Sequence, residues 1–488
     1  MKIKNLMFTI LLCCSATANA QVLGWSTQLP APIIHAPSHG IDSFLWVPCE
    51  DNKVYNLYAL GINAGTTHFT LSYADKPVEV TLGRPVCCPG YAYVAYVAEG
   101  IGSGRLHAVT SDGVELWSYG PVGGPAQSAS VAKDGTIYFP SGVNLHSLNP
   151  DGSLRWILPV GEEVRSKPAI GTDGTVYFAV GSYVHAINTN GTIQWSFPVH
   201  VGVGTPAIDS ASGRIYIGDV IDHGVYAIWP WGAQDWFHPT TCQVWGSPTL
   251  AGNGNVMVPT DCDGLILLNR NTGAENWSHA ISFITAASAT AIAQDGSIHV
   301  ANAQDLLVLN PNGTTRWTYT AGGFVTTPVL GYDPSGGVFF GATDGKVYAV
   351  SNGGLPLHPY SSWPQFGRNH HHDSQAEFPI ITISATDPNA SEAGLAVGKF
   401  TFFRSGTTNS ATTVSYSISG TATAAADYVA LSGTVTFAAG QLSKVVTLTP
   451  KQDMLVEGDE TVVVTVTPAA GYTPGNPNAA TVIIHDND

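Results

Sequence analysis

Between residues 22 and 354 the apolar positions fall in short alternating or β-branched runs, and no stretch shows the three-to-four spacing of an amphipathic helix. Thr136-Ile137-Tyr138-Phe139, Thr175-Val176-Tyr177-Phe178, Arg214-Ile215-Tyr216-Ile217 and Lys346-Val347-Tyr348-Ala349 are typical. Turn dipeptides punctuate these runs: Asp134-Gly135, Asp173-Gly174, Ser212-Gly213, Gly252-Asn253, Asp295-Gly296 and Ser335-Gly336. Asp-Gly and similar pairs supply the positive φ values that two-residue hairpins need. The pattern predicts many short antiparallel strands, in keeping with 53 glycines and 31 prolines.

The pattern repeats. Trp117, Trp156, Trp195, Trp236, Trp277 and Trp317 recur at spacings of 39, 39, 41, 41 and 40, in phase with the turns. A second turn precedes most of them, as in Asp151-Gly152, Asn190-Gly191 and Asn312-Gly313, and a proline such as Pro168, Pro206, Pro248 or Pro328 opens many units. About four strands per forty residues is the content of one propeller blade. Trp25 to Trp117 leaves room for two blades, five more end at the later tryptophans, and residues 318–354 make an eighth without a terminal Trp. The segment Val22-Leu-Gly-Trp25-Ser-Thr is expected to complete that last unit, closing the ring and hiding both edges. A large ring at one fixed place per unit reads as packing between blades. Trp229, Trp231 and Trp245 stand off the repeat phase and are candidates for a recognition surface.

Units such as Leu145-His-Ser-Leu-Asn-Pro-Asp-Gly-Ser-Leu-Arg-Trp156 and Val184-His-Ala-Ile-Asn-Thr-Asn-Gly-Thr-Ile-Gln-Trp195 resemble PQQ-like repeats. That resemblance implies either a quinoprotein dehydrogenase or a non-catalytic propeller like the outer-membrane assembly scaffold. Enzymatic members hold PQQ over a tryptophan floor with Ca²⁺, and many carry a vicinal disulfide, which Cys87-Cys88 superficially resembles. Against PQQ, only Asn269-Arg-Asn-Thr272-Gly273-Ala-Glu-Asn-Trp277 has the longer quinoprotein turn, and no C-x-x-C-H motif is present. The non-catalytic reading is therefore expected, with a quinoprotein oxidoreductase as the alternative. His370-His371-His372 reads as an exposed polar loop.

Composition shifts near residue 378. Tryptophan stops, and strand-like runs follow at 380–383, 398–403, 413–418, 433–437, 443–448, 461–466 and 480–484, predicting a seven-stranded β-sandwich. Ser391-Glu392-Ala-Gly394, Gly420-Thr421-Ala422, Asp427-Tyr428, Gly433-Thr-Val-Thr-Phe437, Glu457-Gly-Asp-Glu460-Thr461 and Asp486-Asn-Asp488 occur in the order of a Calx-β domain, which the segment resembles. The resemblance implies calcium ligation by Glu392, Asp427, Asp453, Glu457, Glu460, Asp486 and Asp488. Hard Ca²⁺ takes six to eight oxygens, which carboxylates at one end of a sandwich can deliver. The chain departs from that pattern at Gln452, Met454 and Gly458, where strong binders often have acids.

Charged residues are only 11% of the chain and the net charge is −16, so Ser, Thr, Asn, Gln and Gly must supply the polar surface and nucleic-acid backbones are repelled. Lys2 and Lys4, an apolar stretch from Leu6 to Cys14, and Ala18-Asn19-Ala20 read as a Sec-type signal, placing the protein in the periplasm or outside the cell, possible association with the cell surface included. A lipoprotein at Cys13 or Cys14 is the second choice, because large Leu residues precede them. No later segment is apolar enough for a transmembrane helix. Of the five remaining cysteines, Cys242 and Cys262 flank the first hairpin of one unit and are expected to be bridged; Cys49 with Cys87 or Cys88 is a weaker pairing. The expected organisation is a signal peptide at 1–20, an eight-bladed all-β propeller at 21–354, a linker at 355–378 and a Calx-β immunoglobulin-like sandwich at 379–488. The expected role is a binding, adhesion or envelope-scaffold protein that takes calcium in the sandwich and a protein or glycan ligand on the propeller face.

Overall fold

The computed structural model describes residues 23–351, apart from 41–43, 60–63, 84–92, 101, 103, 121, 203, 282–288 and 332–336, and residues 379–488, apart from 406–410, 439, 468–471 and 475–476. The signal segment, Val22, Cys87-Cys88, His370–His372 and the linker lie outside the described residues.

Among the described residues, the first part forms eight four-stranded antiparallel sheets, spanning 38–72, 77–119, 130–159, 169–198, 207–239, 249–279, 291–320, and 329–351 together with 23–28. The fourth blade shows the plan. A two-residue strand Ala169–Ile170 is followed by Val176–Val180, Tyr183–Ile187 and Ile193–Pro198. The second strand is buried along its whole length because sheets cover both its faces, while the fourth alternates between exposed and half-buried. Gly174, at φ +86°, turns the first hairpin, and Asp173 accepts the Thr175 amide at 3.0 Å.

A bulge recurs where each third strand meets its fourth, for example between Ser147 and Leu148 and between Ala186 and Ile187. It falls beside the repeating tryptophan, paired here with Ser147 and Ala186, and adds local twist. Five of the six repeating indoles then reach the next blade. Trp117, Trp156, Trp195, Trp236 and Trp277 donate Nε1–H to the carbonyls of Pro150, Thr189, Pro230, Arg270 and Pro311 at 2.8–3.1 Å. The ring covers a glycine of that same turn. A Cβ on Gly152, at φ +83°, would lie 2.5 Å from the Trp117 ring. The repeat in sequence is thus an inter-blade lock in space. Blade one lacks the tryptophan, and Phe69 fills its place against Gly113.

The eighth sheet is completed by Leu23–Gln28, which pairs antiparallel with Lys346–Ser351 through Ser26 opposite Tyr348 and Thr27 opposite Val347. Trp25 carries the lock into blade one by donating to Ala59 O at 3.1 Å. Leu29 and Ile33 share a core with Leu45, Val47, Phe339 and Val347, so residues distant in sequence meet where the ring closes. This closure covers the edge of Lys346–Ser351 and joins the first and last strands of the propeller in one sheet.

The second part is a sandwich of two sheets around Phe400, Phe402, Tyr416, Phe437, Val464 and Ile484. One sheet contains Ile380–Asp387, Gly398–Ser405, Ser443–Leu448 and Thr473–Pro474; the other contains Asn389–Ser391, Ala479–His485, Glu460–Val466, Thr412–Gly420 and Thr434–Phe437. The seven expected segments are all strands. Two short ones, Asn389–Ser391 and Thr473–Pro474, join by parallel pairing. They are too short to show alternation. Pro388 lies between strands of the two sheets, so the chain changes sheet there, and its carbonyl accepts the Ile483 amide at 2.8 Å. No helix among the described residues is long and apolar enough to cross a membrane.

Candidate metal centre

The carboxylates named from sequence gather at one end of the sandwich. Glu392 follows the strand Asn389–Ser391, and its amide donates to His485 O at 3.2 Å, which holds this turn beside the C-terminal strand. Glu392, Asp486 and Asp488 each offer a carboxylate oxygen within 4.8 Å of the others. Asp427, Glu457 and Glu460 form a second group on the same criterion. Asp453 is in neither trio, but its charge acts on both Glu392 and Glu457.

The electrostatics follow from this crowding. Burial, then the charges of Asp453, Asp486, Asp488 and Glu457, push the Glu392 carboxyl above its ordinary range. Burial and the charges of Asp427, Asp453 and Asp486 do the same to Glu457. Glu460 is pushed up to about 7, first by burial and then by a hydrogen bond and repulsion from Asp427. Asp486 moves the other way. Its carboxylate accepts the amides of Glu457 at 2.8 Å, Gly458 at 2.7 Å and Asp488 at 3.1 Å, which hold it below the usual range. Asp486 thereby ties the C-terminal tail to the 453–458 loop.

The residues fit a hard divalent cation. The donors are all carboxylate oxygens, the two trios lie close enough to repel, and Glu392 Oε2 is buried with no protein partner. Such an orphaned buried oxygen is costly unless something supplies positive charge. Gly458, one of the departures from the acidic pattern, stands at φ +76° and turns the loop so that two successive amides reach Asp486. Met454, another departure, is 92% exposed. The importance of Gly458 was not foreseen from sequence, since only a backbone conformation reveals it.

Sequence reasoning also missed a third group on the propeller: His200, Asp219 and Asp222. Asp219 is fully buried and accepts the amides of His200, Ile221 and Asp222 at 2.8, 2.7 and 2.6 Å. It pins the connector entering blade five to that blade's second hairpin. Blade six makes the equivalent tie with a disulfide between Cys242 and Cys262, whose Cα atoms are 5.6 Å apart. Among the described residues Cys49 is a free, buried thiol near the Ala31 carbonyl; Cys87 and Cys88, the partners considered for it, lie outside them. Of the off-phase tryptophans, Trp229 and Trp231 stack on each other, while Trp245 donates to Gln243 Oε1 at 2.8 Å and packs against Gly202.

These observations describe a β-propeller carrying a β-sandwich with an acidic end. Residues 102–240 and 181–357, together more than half of the chain, match the family described as outer membrane protein assembly factor BamB, and residues 375–488 match the Calx-beta domain. The chain belongs to this PQQ-like repeat family and carries a C-terminal Calx-beta domain. Among solved structures it is similar to BamB from Moraxella catarrhalis, at 16% identity and TM-score 0.52 over 68% of this chain and 100% of that one. It is also similar to the computationally designed Ika8 protein, at 13% identity and TM-score 0.54 over 68% and 100%. Sqt1 of Saccharomyces cerevisiae follows at 11% identity and TM-score 0.56, over 68% and 99%. At these identities the likeness is one of fold. No curated protein matches the chain.

Proposed function

We propose that this protein is an exported, non-catalytic binding or scaffold protein whose Calx-beta domain binds calcium and whose propeller presents a rigid surface to a macromolecular ligand. The observation that carries the reading is the convergence of Glu392, Asp427, Glu457, Glu460, Asp486 and Asp488, with Asp453 beside them, around a buried carboxylate oxygen that has no protein partner. Calcium would supply the positive charge these groups lack. Glu392, Asp486 and Asp488 would form one set of ligands, and Asp427, Glu457 and Glu460 a second. The protein's own contribution is to fix the loops: Asp486 clamps the 457–458 amides, and Thr423 N–H donates to Asp427. With the charge balanced, the tail and the 453–458 loop become one rigid end.

The family match supports a scaffold role for the propeller, and the inter-blade locks support its rigidity. An extracytoplasmic site agrees with the signal-like N-terminus and with the disulfide, which persists outside the reducing cytoplasm. Calorimetric titration of the purified chain with CaCl₂, after EGTA treatment, tests the calcium reading. Saturable binding, lost on combined Glu392→Gln and Asp427→Asn substitution, is expected. Heat-silent titration together with an unchanged thermal midpoint refutes it.

A further inference from the structure

Blade five carries an anomaly in an otherwise repeated turn. The hairpin between third and fourth strands is polar in its sister blades. Asn149, Asp151 and Ser153 interlock by side-chain hydrogen bonds, as do Asn188, Asn190 and Thr192, and again Asn310, Asn312 and Thr314. Blade five keeps the backbone of that turn, with Trp229 N–H donating to Ala233 O at 2.8 Å and Gly232 N–H to Trp229 O at 2.9 Å. Its three corresponding positions are instead Trp229, Trp231 and Ala233. The turn itself therefore does not require the indoles.

Their arrangement is built. The two rings are parallel within 6°, with centroids 4.9 Å apart. The Arg214 guanidinium lies 4.2 Å from the centre of the Trp229 ring. The Arg214 guanidinium and the Trp231 ring thus both lie against the Trp229 ring. Arg214 is in turn fixed by Asp235 at 2.9 Å, and by Arg270 O and Asn271 Oδ1 of the next blade, both at 3.0 Å. The stack ends in Trp231, which is 64% exposed. A large flat π-face is thus presented to solvent on a support that spans two blades.

We infer that Trp231 is a stacking platform for a neutral saccharide. It rests on the reading of the propeller as a binding surface and names its ligand class. The chemistry selects the class. Arg214, the cation against the Trp229 ring, is paired with Asp235, so it offers no uncompensated charge to an anion. A single open face does not enclose a cationic headgroup, which needs several rings. Gln234, exposed and three residues further along the chain, offers a polar amide. A β-linked glucopyranose has equatorial hydroxyls and faces of axial C–H bonds. Such a face lies flat on the electron-rich indole while its hydroxyls remain with water and with polar neighbours. Pre-stacking means that little side-chain freedom is lost on binding.

The test titrates the full chain with cellohexaose and N-acetylchitohexaose, following tryptophan fluorescence and heat, with a decaproline peptide in parallel. One of the hexasaccharides is expected to bind, and Trp231→Ala to weaken it at least about tenfold. Trp231→Phe should retain part of the binding. Because Trp231 is exposed, the thermal midpoint of the alanine variant should not move, and its calcium response should be intact. Absence of binding by both saccharides, binding unaffected by Trp231→Ala, or binding of decaproline alone each overturns the inference. A chain that fails here yet still titrates with calcium leaves the proposed calcium function standing.

Discussion

Replacing Glu392 by Gln should have opposite effects with and without calcium. The substitution keeps the side chain's shape and removes its charge. In the calcium-free protein, burial and four neighbouring carboxylates raise this group's pKa. A carboxylate raised in the fold opposes folding once it is ionised, so stability is lost as pH rises above the unfolded-state range. At neutral pH the Gln variant is therefore expected to be no less stable than the parent in EGTA, and slightly more so. In calcium the sign reverses. Calcium at a hundredfold excess over its dissociation constant stabilises the native state by about 2.7 kcal/mol. A hundredfold weaker site at the same concentration contributes only about 0.4 kcal/mol. The lost difference, roughly 2 kcal/mol, corresponds to about 10 °C for a domain of this size, at 4–8 °C per kcal/mol. Differential scanning calorimetry of the full chain in EGTA and in millimolar CaCl₂ resolves this, with the calcium-sensitive transition assigned to the sandwich. An equal calcium shift in parent and Gln variant would show that Glu392 is not a ligand, and a lower midpoint for the variant in EGTA would contradict the repulsion argument.

Calcium affinity should fall with acidification through the Glu460 pKa of about 7, because the proton must leave before the oxygen can coordinate. About tenfold weaker binding is expected at pH 6 than at pH 8 from this group alone, and a flat profile in calorimetric titrations would refute it. Without calcium the sign is reversed: stability should decline as pH rises from the ordinary Glu range toward 7, which melting across that window measures. Paired Cys242→Ser and Cys262→Ser substitution should cost the propeller about 3 kcal/mol, the loop-entropy term for a 20-residue separation, seen as a lower denaturation midpoint insensitive to reductant. Removal of residues 21–30 should expose the edge of Lys346–Ser351 and the Trp25 site on blade one, lowering the midpoint of the whole ring and opening it to proteolysis; a truncated chain that melts like the parent would refute closure by this strand.

The blades were legible because their information is local. A hairpin of Asp173-Gly174 type needs only its own residues, and the Trp117 to Trp317 period marks one docking event per blade. The Phe69 substitute was hidden because no period marks a changed residue type, and the pairing of Asn389–Ser391 was hidden because three residues carry no alternation. At the acidic end, residue identities were readable by resemblance, but their division into two trios was not. That division depends on how loops separated by up to 96 residues, from Glu392 to Asp488, are brought together by the last strand.

Sequence alone thus determined the all-β class, the repeating blade, the sandwich and the stock of carboxylates, since periodicity and turn chemistry act over a few residues. Tertiary structure decided which indoles lock blades and which one faces solvent. Trp229 and Trp231 read in sequence as off-phase indoles and candidates for a recognition surface; their parallel stack beside Arg214, held by Asp235 and by the next blade, exists only when strands far apart in the chain lie side by side. Burial and electrostatic repulsion follow the same rule, because both depend on distance through space and not on separation along the chain.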